Sequence, residues 1–331
     1  MKPRTARAVP ANVGVRRAYR RQMQNLLAEY RDFVACEMLS SLADAHMLAK
    51  DSILKPQTPE ERKAARELKH QILTMWARSS PAWVEKHLFD FITRNIGRWS
   101  RLLGGAAMRV VASYVRKIAF ATTEAQRRAF ISAKVRRGLL AERWKTAVPS
   151  AHALAVPGGA GRASAELWQV PTVQRQHMSA RAAEIMPDLV RENADLITRI
   201  GTADVDRISS VLQQGLQQGL SYDDLRGTLR ATQGFDDARA DRVVIDQTNK
   251  ISQQIQEANA RDLGITEAIW VHVPGQYTSR DSHIAMNGRR YNYEEGLFDD
   301  VVGQNVHPAQ LPFCRCICRF ILPDEIMNDE D

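Results

Sequence analysis

Two groups of residues have the types and spacing to do chemistry. The first is Asp281, His283, His307, Cys314, Cys316 and Cys318, gathered in the last fifth of the chain. Thiols and imidazoles so close together are the donors of a structural zinc site, whose four ligands would staple a small domain. The C-x-C-x-C spacing complicates that. On a strand alternate side chains take opposite faces, so Cys314 and Cys318 would share one face and Cys316 the other, unless a turn precedes the strand. Otherwise these thiols are small buried residues of a reduced protein. Asp281, His283 and His307 could also form a metal-dependent hydrolase or nuclease set. His272, at a strand edge, reads as a packing or surface residue. The chain has no H-E-x-x-H, G-x-S-x-G, Walker A or G-x-G-x-x-G element, so an enzyme is not expected.

The second group is basic. Between residues 91 and 141 lie Arg94, Arg98, Arg101, Arg109, Arg116, Lys117, Arg127, Arg128, Lys134, Arg136 and Arg137, against a single acid, Glu124. Arg94, Arg98 and Arg101 share a helical face at i, i+4 and i+7. Arg109 and Arg116 keep that phase if Gly104-Gly105 does not break the helix. Guanidinium groups spaced along one face can follow phosphates without reading bases. Trp99, Phe120 and Phe130 fall at helical spacing and read as core.

These groups sit in a chain with a divided charge. Residues 1–150 carry 29 Lys and Arg against 12 Asp and Glu, a net of +17. Residues 151–331 carry 17 against 26, a net of −9. The first half suits a polyanion such as nucleic acid, and the acidic second half points to a different kind of surface. Arg-rich solvated helices are the plainer explanation of the first. With 331 residues, 44% hydrophobic and 25% charged, the composition is globular. No apolar run reaches the ~20 residues needed to span a bilayer, and the basic start lacks the apolar stretch of a secretory signal. The four cysteines, with Cys36 alone and the other three crowded together, argue for a reducing compartment rather than a disulfide framework.

The elements that must position these residues read mainly as helix. Leu26, Leu27, Tyr30, Phe33, Val34, Met38, Leu39 and Leu42 recur at helical period. A break at residues 55–59 precedes a helix expected from Pro59 to Arg78, and Ser80-Pro81 opens another. Gly104-Gly105 and Ala121–Thr123 are candidate boundaries. The sequence therefore predicts a basic helical domain over 1–150 and a Pro- and Gly-rich linker over 151–172. Helices follow over 173–265. Leu189, Val190, Leu196, Ile197 and Ile200 form one stripe; Val205, Ile208, Val211, Leu212, Leu216 and Leu220 form the next. A long helix from Asp236 to Leu263, closed by Gly264, carries the stripe Val244, Ile251, Ile255 and Ala258. Residues 266–323 read as a small α+β domain with strands near 268–273, 289–293 and 317–322. Residues 324–331 read as an acidic tail. The fold class is thus mainly α with a small α+β C-terminal domain and a short-stranded sheet.

One segment has a recognisable order. Asp246-Gln247-Thr248-Asn249-Lys250 and Asn259-Ala260-Arg261 lie on the long helix, which ends at Leu263-Gly264-Ile265. Ile269-Trp270-Val271 follows, then Ser279-Arg280-Asp281-Ser282-His283, Gly288-Arg289-Arg290-Tyr291, His307-Pro308 and Phe313-Cys314-Arg315-Cys316. This resembles the phage Mu protein F-like minor head protein family over about residues 185–323. The residues that carry the likeness are Asp246, Thr248, Arg261, Arg280, His283, Gly288, Cys314, Arg315 and Cys316.

The resemblance implies a structural minor head protein, present in the virion head near the portal and made in the host cytoplasm. It implies contact with the portal protein, with a major capsid or scaffolding protein, and with packaged double-stranded DNA, and none with a membrane. The DNA-facing residues would be Arg94, Arg98, Arg101, Arg109, Arg116, Lys117, Arg127, Arg128, Arg136 and Arg137. A free non-specific nucleic-acid-binding protein and a metal-dependent nuclease are the rival readings. Zinc ligands, if any, would be His283, Cys314, Cys316 and His307. The other staple is an ionic network joining Arg280 or Arg315 to Asp281 or an acid of the long helix. Arg280 stands where other members have a ligand, so the reading favours no cofactor.

Overall fold

The computed structural model describes residues 3–48, 81–147, 177–218, 237–274 and 279–327, with a few positions between 220 and 231. The break at 55–59, the helix expected over Pro59–Arg78 and the linker over 151–172 lie outside the described residues. Helix α1 spans Val13–Leu48, α2 Pro81–Ser132 and α3 Arg137–Arg143. Two-residue strands β1 (Thr146–Ala147) and β2 (His177–Met178) pair antiparallel. Helix α4 runs Ala180–Gln217 and α5 Asp237–Arg261. The terminal part comprises β3 (Glu267–Val271), α6 (Asp281–Ala285), β4 (Arg290–Asn292), β5 (Leu297–Asp299), β6 (Gln304–Val306) and β7 (Ile317–Phe320). The fold is mainly α with a small antiparallel α+β end, as its sequence predicts.

Several boundaries differ from the sequence expectation. Helix α2 passes through both Gly104-Gly105 and Ala121–Thr123 without a break. Glycine costs only about 1 kcal/mol in a helix interior, which the buried neighbours Leu103 and Ala107 offset. The two apolar stripes of 189–220 belong to one helix, α4, which tolerates Pro187 near its start. Residues 324–327 of the expected tail belong to the folded unit. A 3₁₀ turn, Asp324–Ile326, sets the side chains of Ile326 and Met327 in the core, and the Arg136 amide donates to Ile326 O.

The chain forms two compact units that interleave along the sequence, whereas the sequence reading divides it linearly at 151–172. One unit holds residues 23–107 and 194–238. Its core includes Leu27, Val34, Met38, Trp99, Leu103, Ile197, Val205 and Leu212. Gly201 is required there: a Cβ at this position would lie 2.0 Å from Leu103 Cδ2 and 3.1 Å from Tyr30 Cε1.

The other unit holds residues 1–22, 108–193 and 239–331. Its spine is α5, which buries Val244, Ile251, Ile255 and Ala258 as the stripe requires. The helix stops where Gly264 takes φ +75°, with the Ile265 amide bonded to Ala260 O and the Gly264 amide to Arg261 O. Helix α5 also buries polar residues. Ser252 Oγ pairs with Thr122 Oγ1 at 3.0 Å, and Gln126 Nε2 donates to Gln256 O at 2.9 Å. Asn259 donates to Thr123 Oγ1 and Gln126 Oε1 and accepts from the Ser179 amide. This seam ties α5 to α2.

The sheet has the order β4-β3-β7, all antiparallel, with Ala268 opposite both Tyr291 and Phe320 and Trp270 opposite Cys318. Strands β5 and β6 form a separate hairpin that the sequence reading missed. The start of the chain joins the sheet: Thr5 bridges Ile321, and the Ala6 amide donates to Phe320 O. The terminal domain is therefore not a 60-residue unit short of core. Ala6, Phe130, Val135, Leu140 and Trp144 pack into the same cluster as Trp270, Tyr293 and Phe320.

A chain beginning at residue 173 should consequently fail to fold. Removing one buried Phe or Trp side chain costs about 3–5 kcal/mol, and here Phe130, Trp144 and the α2 partners of Asn259 all go. A whole domain has only about 5–15 kcal/mol to lose. Urea unfolding followed by circular dichroism should show no cooperative transition, and a transition at the full chain's midpoint would contradict the shared core.

Candidate functional site

The site lies in the terminal sheet's unit, where β3, α6 and the segment before β7 meet. Arg280 takes the N-cap position of α6, with φ −72° and ψ 131°. One turn of helix then directs His283 inward, 2% exposed. Trp270 packs edge-on against the His283 ring, centroids 5.3 Å apart. Gly288, at φ +81°, turns the chain back so that its amide reaches Trp270 O at 2.8 Å. That backbone conformation is costly for a residue with a Cβ, which accounts for the glycine.

The cysteine side is built by a turn. The Cys314 amide donates to Leu311 O at 3.0 Å, and Phe313 sits at φ +61°. Two groups hold this turn. Asp246 Oδ1 on α5 accepts the Phe313 amide at 2.6 Å, and Arg280 Nη2 donates to Pro312 O at 3.0 Å. Strand β7 begins only at Ile317, so the strict strand alternation across Cys314 to Cys318 does not hold. Cys314 and Cys316 converge, and Cys318 takes a hydrogen bond from Gln253 Nε2 on α5.

The result is a buried cluster. His283 Nδ1 is 3.4 Å from Cys314 Sγ and 3.6 Å from Cys316 Sγ. These donor atoms all lie within 4.8 Å of one another. His272, just past β3, brings its Nδ1 to 3.6 Å from Cys316 Sγ. On its far side, His283 Nε2 lies 3.3 Å from Asp299 Oδ2. Asp299 is fully buried, accepts from Ser282 Oγ and caps the Val301 and Val302 amides. The cluster faces a pocket of about 360 Å³ whose wall includes Arg242, Arg280 and Arg315. Hydrogen bonds with Cys316 and His283 draw the Cys314 thiol down to about 4, while Cys314 and burial push the Cys316 thiol up. Such a group can ligate a soft metal or act as a thiol nucleophile with its base.

The structure separates other expected partners. His307 is not in the cluster; it lies further along α5, its Nδ1 3.9 Å from Glu257 Oε1. Asp281 is exposed, so Asp281, His283 and His307 do not form one metal set. Arg280 bonds a carbonyl rather than an acid, and Asp246 pairs with Lys250 Nζ at 2.9 Å. Of the remaining motif residues, Thr248 bonds Val244 O within its helix. Arg261 reaches Tyr293 O at 3.4 Å with its guanidinium over that ring. Arg315 lines the pocket. Sequence reasoning missed His272 and Asp299. Trp270 and His272 are two residues apart and so share a strand face, which was the available signal for the first.

The basic residues fall in both units. Arg94, Arg98 and Arg101 are exposed in the unit of residues 23–107, where Arg98 pairs with Glu37. Arg109, Lys117, Arg127, Arg128, Arg136 and Arg137 are exposed in the other, but Arg116 is half-buried there and does not present its charge freely. Arg136 also donates to Glu325 O.

A mainly helical chain with a buried thiol–imidazole cluster at its α+β end is the class of protein these features define. Residues 206–319, about a third of the chain, match the family model described as Phage Mu protein F like protein. No curated protein and no solved structure gives a match.

Glu257 yields a pH prediction. Burial raises its carboxyl to about 7, against the opposing pull of Gln253 and Arg261. An unfolded glutamate titrates near about 4.3. Between these values the folded chain holds the extra proton, so this group's contribution to stability falls as pH rises through the window and then levels. His307, lowered by burial and Arg261, acts the other way, gaining stability as pH rises toward its ordinary value. Glu257→Gln retains an acceptor for Gln253 but removes the charge. Urea titrations should show parent and variant nearly equal at pH 4.5 and the variant ahead by up to about 3 kcal/mol at pH 8. A gap that does not widen with pH would contradict this.

Proposed function

We propose that the protein acts in phage head morphogenesis as a structural minor head protein, and that it works by contact rather than by catalysis. The observation that carries this reading is the match of residues 206–319, together with what the motif residues do. Asp246, Arg261, Arg280 and Gly288 each fix a loop or a backbone turn. They are the parts of a scaffold. Among the described residues no helix is long and apolar enough to cross a membrane.

Two surfaces support two kinds of partner. The β5–β6 hairpin exposes Phe298 at 60% and Val301 at 76%, with Val302 beside them. Apolar side chains presented at a hairpin tip suit a protein partner in the head, such as the portal or a capsid or scaffolding protein. The exposed arginines of α2 and α3 suit the phosphates of packaged double-stranded DNA, contacted without base readout.

The protein should sediment with purified phage heads and be captured by the portal protein of the same virus. Its presence only in the free lysate fraction would overturn the head reading. For the DNA contact, the full chain should bind duplexes of unrelated sequence alike, with a log–log salt slope near −0.9 per phosphate neutralised. Reversing Arg127, Arg128 and Arg137 to Glu should weaken binding and flatten that slope. Binding that is indifferent to salt, or unchanged in the triple variant, would contradict it.

A further inference from the structure

Beyond the head-protein reading, and independent of it, the cluster at α6 has the geometry of a metal centre. We propose that His272, His283, Cys314 and Cys316 bind one tetrahedral zinc ion, with His272 rather than His307 as the fourth ligand.

The distances carry the argument. A tetrahedral zinc with sulfur at about 2.3 Å and nitrogen at about 2.0–2.1 Å sets its sulfur and nitrogen donors about 3.6 Å apart. The observed separations are 3.4 Å for Cys314 Sγ to His283 Nδ1, and 3.6 Å for Cys316 Sγ to each of His283 Nδ1 and His272 Nδ1. Hydrogen bonding alone does not ask two thiols to share one imidazole nitrogen. A Cys–His nucleophile needs one sulfur on one nitrogen and has no use for the second cysteine or the second histidine. Two sulfurs and two nitrogens are a zinc donor set. His272 meets the cluster from the Cys316 side, and its half-buried ring is the nearest imidazole to supply the fourth ligand.

The surroundings agree. A ligating imidazole usually turns its other nitrogen to a carboxylate, which fixes its tautomer. His283 is placed for this: with Nδ1 on the sulfurs, its Nε2 lies 3.3 Å from Asp299 Oδ2. Asp299 is itself held by Ser282 and two backbone amides, so it cannot swing to follow the ring. The turn carrying Cys314 is set by Asp246 and Arg280 from outside the donor set. Arg280 thus fixes a ligand-bearing loop without being a ligand. His307 cannot take part, because it lies against Glu257.

The test uses the full chain. Elemental analysis should find about one zinc per chain. Cobalt(II) titrated into chelator-stripped protein should give the intense visible bands of a tetrahedral thiolate site, and bound metal should shield Cys314 and Cys316 from alkylation. His272→Ala should lose that spectrum or weaken metal binding, whereas His307→Ala should keep both. Asp299→Asn should lower zinc affinity about 10–100-fold with the ligands intact. Because these variants could unfold, the cobalt spectrum and alkylation of the parent chain stand as the independent readout. Protein that takes up neither metal and whose Cys314 alkylates rapidly at low pH would overturn the proposal in favour of a Cys314–His283–Asp299 nucleophile. Loss of metal in His307→Ala but not in His272→Ala would overturn the ligand assignment.

Discussion

The terminal domain depends on a carboxylate placed inside a helix. Asp246 is buried on α5, and burial raises its pKa; Lys250 and the Phe313 amide act against that rise. A charged acceptor leaves a strong hydrogen bond with the one amide positioned to reach it. That bond fixes the turn at residues 311–314, which in turn fixes where Cys314 and Cys316 point. Asn259, between three and four turns further along α5, does the equivalent work toward α2 and the end of β2. The helix therefore serves as an addressing element as much as an apolar core element. Its low hydropathy is a consequence of that role.

This arrangement explains why the family segment and the folding unit do not coincide. The matched segment supplies α5, the sheet and the cluster. The closing wall comes from the start of the chain, the end of α2, and α3. Residues 4–6 border β7 in the sheet, and Val135 bridges Met327. The basic helical half is thus built partly into the acidic half, and the charge division along the sequence is not a division between bodies. Exposed arginines occur in both units.

Much of this was legible in the residues. The stripe Val244, Ile251, Ile255, Ala258 with Gly264 after it gives α5 and its end, because an apolar stripe and a left-handed cap are local signals. The strands around Trp270, Tyr291 and Cys318 were readable for the same reason. The position of Cys316 was not, since it depends on a turn held by Asp246 from 67 residues away. His272 was passed over because sharing a strand face with Trp270 says nothing of a cysteine 44 residues away; only the fold brings it to Cys316. The β5–β6 hairpin escaped because three-residue strands are too short to show alternation. Gly104-Gly105 looked like a break because propensity is weak evidence beside the packing of Leu103 and Ala107.

The central claim is that α5, through Asp246, positions the segment that bears the cysteines. Hydrogen exchange on the full chain tests it most directly. In the parent, the amides of residues 313–316 should exchange as slowly as those of the sheet. In Asp246→Ala the account predicts exchange faster by about ten- to a hundredfold at those amides, the worth of a hydrogen bond to a charged group, while Ile251 to Ala260 on α5 stay protected. Unchanged exchange at residues 313–316 in that variant would contradict it.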